Sequence, residues 1–550
     1  MENQKPKSKE GWNAISWSAI ELYIQKLQKR IYSATKNGDI KLVRSLQSIV
    51  INSHQAKLLA TRWVTQNNTG KKLAGIDGIK YLTPSKRFEL ARSLKIPSKS
   101  RPLRKIWISN FSDKQKTLLL KQGCGKGPGK TKYPLSIPTL FDKANQTLLK
   151  LALEPEWEAK FEPNSYGLRP GRNCHDAMKQ IYLTIFKKPK YVLKAEIQTC
   201  FDQINHEKLL KKLNYKGKIH KQIKHWLKSG IFNKKCFAEM ENSTPDLNCD
   251  ISSLLVNIAL NDLETLVKEL VICMPLRYST GVRTGKIMGL RDRNSSLSLI
   301  KYAGDFVVLH ENKEVIFKCK EVISNWLVDI GLKLSNAQLS HTLEGTKADL
   351  ADPEFSKTPG FDFLGFTVRQ FKKKYRGLNG IDTKITPAKD KQKKHLEKIA
   401  KIVRQCHMAS QEEIIFKLNL IIAKWALYYG TSDANTVGIL KKMDYLLYLK
   451  LRRWGKRKTK SSKSSLNKYW KKIETKKFVF ATEINGKLVK LHCYSDFARS
   501  LRNDYVKVKS ETSPFNGDET YWASRLRKEC LYESNSIGAI KSAKRKMKSL

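Results

Sequence analysis

Acidic residues are scarce in this 550-residue chain: 50 Asp and Glu stand against 105 Lys and Arg, a formal excess of +55. Such a chain repels itself unless a polyanion neutralises it, and the phosphate backbone is the common intracellular polyanion. The shortage therefore points to nucleic acid as the partner, with acidic lipid and a merely solvated Lys-rich surface as the competing readings. Paired cysteines are missing as well. The ten cysteines, from Cys124 to Cys530, include no C-x-x-C pair, which argues against a zinc module or disulfide framework and fits buried thiols in a reducing compartment. No run approaches the roughly 18–20 apolar residues of a membrane span, so no membrane partner is expected. The first thirty residues carry Glu2 and Glu10 and lack an apolar core. They read as neither a secretory signal nor an acid-poor transit peptide, and the protein is expected to work where it is made.

What is present is enough apolar material to fold: 40% of residues are hydrophobic and 9% aromatic. The length exceeds one ordinary core, and about two to four packed units are expected. Residues 16–66 carry apolar positions at helical spacing (Ile20, Leu22, Ile24, Leu27, Ile31, then Leu42, Leu46, Ile49, Ile51) with basic residues between them. The segment KQGCGKGPGKTKYP (121–134) reads as a basic loop, and helical period returns from Asp142 to Trp157. Segments 191–197, 299–309 and 361–368 are short and rich in β-branched or aromatic residues, as sheet strands are.

From residue 388 basic amphipathic helices take over. Ile414, Ile415, Leu418, Ile421, Ile422, Trp425 and Tyr429 form one apolar stripe, Gly430 can end that helix, and Ser432 or Asp433 can cap the next. Residues 441–475 then hold thirteen Lys or Arg against Asp444 and Glu474, with Tyr445, Tyr448, Trp454, Tyr469 and Trp470 interleaved. Basic residues with aromatics suit phosphate contact and base stacking, although helical spacing favours the aromatics as core anchors.

Several separated segments, in order, resemble the group II intron-encoded reverse transcriptase and maturase family. SYGLRPGR (165–172), within 134–178, looks like its finger motif; VLKAEIQTCFDQINHEKL (192–209) resembles the first catalytic motif. TPDLNCDISSLLVNIALNDLE (244–264) stands where Pro-Gln-Gly-Gly is usual, KYAGDFVVL (301–309) looks like the Tyr-Ala-Asp-Asp hairpin, and GFDFLGF (360–366) like the closing palm strand. IIAKWALYY (421–429), YLLYLKLRRWGKRK (445–458) and KYW (468–470) resemble the thumb and maturase domain. SPFNGDETYWASR (513–525) is similar to the chloroplast-like branch, whose members often continue into a His-Asn-His endonuclease; with only Cys530 beyond it, no such module is expected.

The resemblance implies a polymerase whose two metal ions are held by carboxylates. At those positions this chain has Glu196, Gly304 and Asp305. Gly304 supplies no ligand, and Asp305 does not simply replace it because adjacent strand residues face opposite ways, a rule that a hairpin turn relaxes. The Gln-Gly-Gly stretch has become Asp246, Leu247 and Asn248; Gln338 stands where Lys is common and Tyr133 where Arg is usual. Phe201 sits where the family excludes a 2′-hydroxyl, or it is core packing; Asp202 and His206 are read as caps of the next helix. If activity survived, its metal set would come from Glu196, Asp202 and Asp305.

The fold expected from the resemblance is an α/β right-hand polymerase followed by an α-helical thumb and maturase domain. Its segments are a basic helical region (1–95), fingers (96–190), a reverse-transcriptase-like palm (191–370), thumb and maturase domain (371–480) and a basic C-terminal remnant (481–550). The function expected is binding of group II intron RNA to promote its splicing, with polymerase activity lost and DNA as a weaker partner. An active RNA-directed DNA polymerase and a general RNA-binding protein are the alternatives. Arg452, Arg453, Lys456, Arg457 and Lys458 are the first candidates for RNA phosphate contact, with Arg169 and Arg172 second. No cofactor is expected on the protein; Mg²⁺ would serve the RNA or any residual polymerase. Family habit and the Lys, Ile and Asn usage point to a plastid gene, then a mitochondrial one.

Overall fold

The computed structural model describes residues 11–67, 74–101, 104–108, 133–198, 204–228, 251–279, 282–343, 354–356, 358–372, 380–432, 435–473, 476–484, 486–500, 505–509 and 511–527. The basic loop at 121–132, Phe201 and Asp202, the stretch 246–248, Asp433 and the terminal run after 527 lie outside them. The chain forms two compact units, one of Met1–Ala177, Ala195–Ala337 and Val508–Leu550, the other of Met178–Lys194 and Gln338–Lys507. Among the described residues no helix is long and apolar enough to cross a membrane.

The first unit begins with three helices, Trp17–Lys36, Ile40–Asn52 and His54–Arg62. Of the predicted apolar positions, Ile20, Ile24, Leu27, Ile31, Leu46 and Ile51 are buried, as the 3.6-residue period requires, whereas Leu22, Leu42 and Ile49 lie on the exposed faces of their helices. Each turn between helices is closed by a short polar side chain: Asp39 accepts from Leu42 N and Ser53 from Ala56 N. The bundle packs on the helix Leu140–Lys160, which Thr139 caps through Asp142 N. Strands β1 (Arg104–Ile108) and β2 (Tyr133–Ile137) pair antiparallel.

A four-stranded sheet comes next, built from β3 (Tyr191–Gln198), β4 (Ser298–Tyr302), β5 (Asp305–His310) and β6 (Lys333–His341) in the order β4-β5-β3-β6. Residues 195–198 of β3 and 333–337 of β6 belong to this unit. The strand-like stretch 299–309 is two strands, because Tyr302 pairs with Asp305 and leaves Ala303–Gly304 as a two-residue turn. Ala303 takes φ +57°, the left-handed conformation that tight hairpins demand.

In the second unit, β7 (Phe361–Phe363), β8 (Phe366–Lys372) and β9 (Ile381–Pro387) form an antiparallel sheet. Leu364 and Gly365, both at positive φ, again split one predicted strand into a hairpin. The helices Lys389–Gln405, Gln411–Tyr429, Asn435–Thr459 and Ser462–Tyr469 follow. Ser410 caps the second of these, and the Gly430 N–H closes it on Ala426 O. Its stripe (Ile414, Ile415, Leu418, Ile422) joins Leu440, Met443, Leu447, Leu451 and Trp454 in one core. β10 (Thr431–Ser432) meets β14 (Arg499–Ser500) in parallel, while β11 (Trp470–Ile473), β12 (Lys476–Ile484) and β13 (Lys487–Lys490) make a small antiparallel sheet.

The predicted remnant at 481–550 is not one segment. Of its described residues, those up to Lys507 pack with the second unit and those of 508–527 with the first.

Candidate nucleic-acid interface and the palm hairpin

In the first unit the palm hairpin is fixed from both sides by backbone hydrogen bonds. The Gly304 carbonyl accepts from Ile197 N at 2.8 Å, which sets the turn beside Glu196 on β3. On the other side Tyr166 N donates to Lys301 O at 2.8 Å and Lys301 N to Asn164 O at 3.0 Å, so the finger motif runs along β4 as an extra edge. Gly167 is required there: a Cβ would lie 2.2 Å from the Ala303 nitrogen.

Glu196, Gly304 and Asp305 are the positions that the family resemblance marks for metal. Glu196, half-buried, accepts a hydrogen bond at Oε2 from Asn336 Nδ2 at 2.8 Å. Gly304 is buried and contributes only backbone, and Asp305 opens β5 opposite Tyr302. Among the described residues no three His, Cys, Asp or Glu side chains converge where they could hold an ion. Asp202 lies outside those residues. Asn205 performs the capping assigned to Asp202 and His206: its Oδ1 accepts from Glu207 N and Lys208 N at 3.1 Å each, and His206 is the first residue of the helix.

The second-choice arginines, Arg169 and Arg172, point inward, which removes the basis for reading them as phosphate contacts. Arg169 forms a bidentate pair with Glu158 at 2.9 and 3.0 Å and donates to the carbonyls of Glu162 and Ser165, with its side chain 1% exposed. Arg172 donates to Pro163 O at 2.6 Å and Thr512 O at 3.3 Å, and burial lowers its pKa to about 10. The physical reason is the fork geometry of guanidinium, which satisfies several buried acceptors at once and so serves as a brace. Lys301 is likewise buried: its ammonium donates to Leu260 O and faces Glu162 at 3.6 Å, and burial lowers its pKa.

One brace came from a segment that motif reading treated as a remnant. Asp176 pairs with Arg525 at 2.7 and 2.9 Å, both side chains fully buried, and also accepts from Val508 N at 2.8 Å. Trp522 packs over Gly171, where a Cβ would come within 2.7 Å of the indole, and Glu519 pairs with Lys29 at 2.6 Å. The sequence signal was the aromatic and acidic content of SPFNGDETYWASR amid an otherwise basic end.

The second unit presents the opposite picture. On the helix Asn435–Thr459, Leu447, Leu451 and Trp454 are buried while Arg452, Arg453, Lys456, Arg457 and Lys458 are all exposed. Among the described residues Arg452, Arg453, Lys456 and Arg457 form no ion pair. Lys458 is partly committed, donating to Met408 O at 3.1 Å and Ala409 O at 2.9 Å in the turn between the helices Lys389–Gln405 and Gln411–Tyr429. The aromatics divide as helical spacing favoured: Trp454, Tyr469 and Trp470 are core, with Trp454 Nε1 donating to Cys406 O at 2.9 Å. Tyr445, 60% exposed, is free to stack.

Sequence reading missed a groove of about 330 Å³ beside this face. Lys389, Lys393 and Leu396 line one wall and Lys442, Leu446 and Lys450 the other, each set at one-turn spacing along its helix. Four ammonium groups face this groove against one carboxylate, Glu397, a net positive lining that can attract a phosphate-bearing strand.

Three family models match the chain: N-terminal domain of reverse transcriptase over residues 12–94, reverse transcriptase (RNA-dependent DNA polymerase) over 119–368, and group II intron, maturase-specific domain over 392–470. Maturase-like protein 1 of Euglena gracilis is 26% identical over 439 residues, covering 78% of this chain and 79% of that protein. Its namesake in Euglena longa is 25% identical over 433 residues, covering 76% and 78%. The group II intron-encoded protein LtrA of Lactococcus lactis subsp. cremoris is 35% identical over 148 residues, 26% of this chain and 24% of LtrA.

Proposed function

Since the chain belongs to the group II intron-encoded reverse transcriptase and maturase family, we propose that it is a maturase whose polymerase centre no longer works. The observation that carries this reading is the outward cluster Arg452, Arg453, Lys456 and Arg457, which makes no ion pair among the described residues, set against Gly304 at a metal-ligand position. Cations held away from acids retain their full attraction for phosphate, and each phosphate contact releases counterions from the RNA. A protein that binds the active intron conformation better than other conformations shifts the RNA population toward it. The intron RNA then performs the transesterification itself, and Mg²⁺ is a requirement of the RNA. The host gene on this reading is plastid or mitochondrial.

The test is purified protein with its host intron at near-physiological salt and Mg²⁺, scoring splicing and, in parallel, primer extension on the same RNA. Faster splicing without extension supports the reading. Extension that vanishes in Glu196→Ala or Asp305→Ala would show a working metal site and make the protein a polymerase. Affinity indifferent to intron structure would reduce it to a general RNA-binding protein.

A further inference from the structure

The helix Gly217–Lys228 of the first unit carries a second concentration of unspent charge. From Asn214 to Lys228 the chain reads NYKGKIHKQIKHWLK, with five lysines, two histidines and no acid. Its buried face is Gln222, Ile223, Trp226 and Leu227. Its outer face is Lys218, Lys221, Lys224, His225 and Lys228, all exposed, continued by Lys216 just before the helix.

The rotation of this helix is set by polar as well as apolar contacts. Gln222, fully buried, accepts from Ser98 N at 2.6 Å and donates to Ser98 O at 3.3 Å, while Trp226 is 0% exposed on the same side. Turning the lysines inward would break both amide bonds and expose the indole, so the basic face is held outward by the core.

The preceding helix shows what neutralised lysines look like in the same unit. There Lys208 pairs with Asp329, and Lys212 pairs with Asp262 at 3.0 Å and donates to two carbonyls. Lys216, Lys218, Lys221, Lys224 and Lys228 have no such acid among the described residues. A folding requirement for charge would have matched them with acids; leaving a row of like charges three and four residues apart is instead destabilising for the helix alone.

We infer that this face is a second RNA-binding surface, one that grips the sugar-phosphate backbone without reading sequence. Cations on successive turns, about 5–6 Å apart, give the multiple phosphate contacts of a non-specific, salt-sensitive grip. The indole of this helix, Trp226, is buried and only small imidazoles stand among the lysines, so the surface suits a duplex backbone better than splayed bases. The inference rests on RNA being the partner, as proposed above.

The experiment measures affinity of the full chain for a generic RNA hairpin across a salt series, comparing wild type, a Lys218→Gln/Lys221→Gln/Lys224→Gln/Lys228→Gln variant and the same four changed to Arg. A variant of the maturase helix, Arg452→Gln/Arg453→Gln/Lys456→Gln/Arg457→Gln, runs alongside. Each lost phosphate contact should flatten the log-affinity against log-salt slope by about 0.7–0.9, so the first Gln variant, with four contacts removed, should lose roughly 3–3.5 units of slope while the Arg variant keeps wild-type behaviour. An unchanged thermal midpoint confirms that the lost slope is not lost fold. A wild-type slope in the first Gln variant, with the maturase-helix variant weakened, overturns this inference and leaves the maturase reading standing. No RNA binding by the wild type would sink both.

Discussion

Arg169 and Arg453 put the same guanidinium group to opposite uses. In the finger motif Arg169 meets Glu158 and two carbonyls in a dry interior; on the maturase helix Arg453 has water around it and no acid among the described residues. One holds the protein together and the other is left for a partner. The contrast teaches that a basic residue in a recognised motif is assigned by where its hydrogen bonds go, because an Arg whose donors are used internally has little left for phosphate.

The sharpest way to break this comparison is to truncate the inward braces. Arg169→Ala or Arg525→Ala strands a buried carboxylate and should cost roughly 3–5 kcal/mol in urea unfolding, whereas Arg453→Ala should stay within about 0.5 kcal/mol of wild type. Equal costs for Arg169 and Arg453 would erase the distinction.

A core residue beside the basic face offers a second test. Trp454→Ala should lose about 3–5 kcal/mol of stability, while the outward Tyr445→Ala leaves unfolding unchanged and weakens single-stranded RNA binding by about 1–3 kcal/mol. Filter binding and denaturation on the same preparations separate the two.

pH supplies a third. His395 is buried in the second unit with Nε2 2.6 Å from the Tyr494 hydroxyl and its ring stacked on Trp425; burial, then Lys398, lowers its pKa to about 4. Its folded value lies below the unfolded one, so protonation favours the unfolded chain. Stability present above about pH 6.5 should fall as pH drops toward 4, by on the order of 3 kcal/mol, and His395→Gln should remove that part of the slope in pH-dependent unfolding.

The smallest effect belongs to the more committed cation of the pair formed by Lys456 and Lys458. Lys456→Gln should flatten the salt dependence of RNA binding by about 0.7–0.9, and Lys458→Gln by less, because its ammonium also caps Met408 and Ala409 carbonyls. Equal changes would mean that the cap yields to RNA.

Element type was legible where period was strong. Ile414 to Tyr429 and Ile20 to Ile31 repeat every three or four residues, and burial followed that repeat. By composition the two hairpins read as single strands, because Ala303 and Leu364 take left-handed turns that neither residue type signals; it was the family resemblance that marked 301–309 as a hairpin. The outward cluster on the maturase helix was legible because Leu447, Leu451 and Trp454 fix which side faces in. Arg169 was not, since its partner Glu158 lies eleven positions upstream across a helix end and only the fold brings them together. The lysines of Gly217–Lys228 escaped notice because they belong to no recognised motif, and their significance depends on acids being absent nearby in space.

The Asp176–Arg525 pair spans 349 positions of chain. At a synthesis rate of about 5–20 residues per second, the carboxylate waits roughly 20–70 s on the ribosome for its arginine. Through that interval the finger motif exists with Asp176 uncompensated, and its Trp522 cover is still to come. The fingers of this protein are therefore finished late, by residues translated long after the palm, and a chaperone or the RNA itself has that window in which to act on an open form.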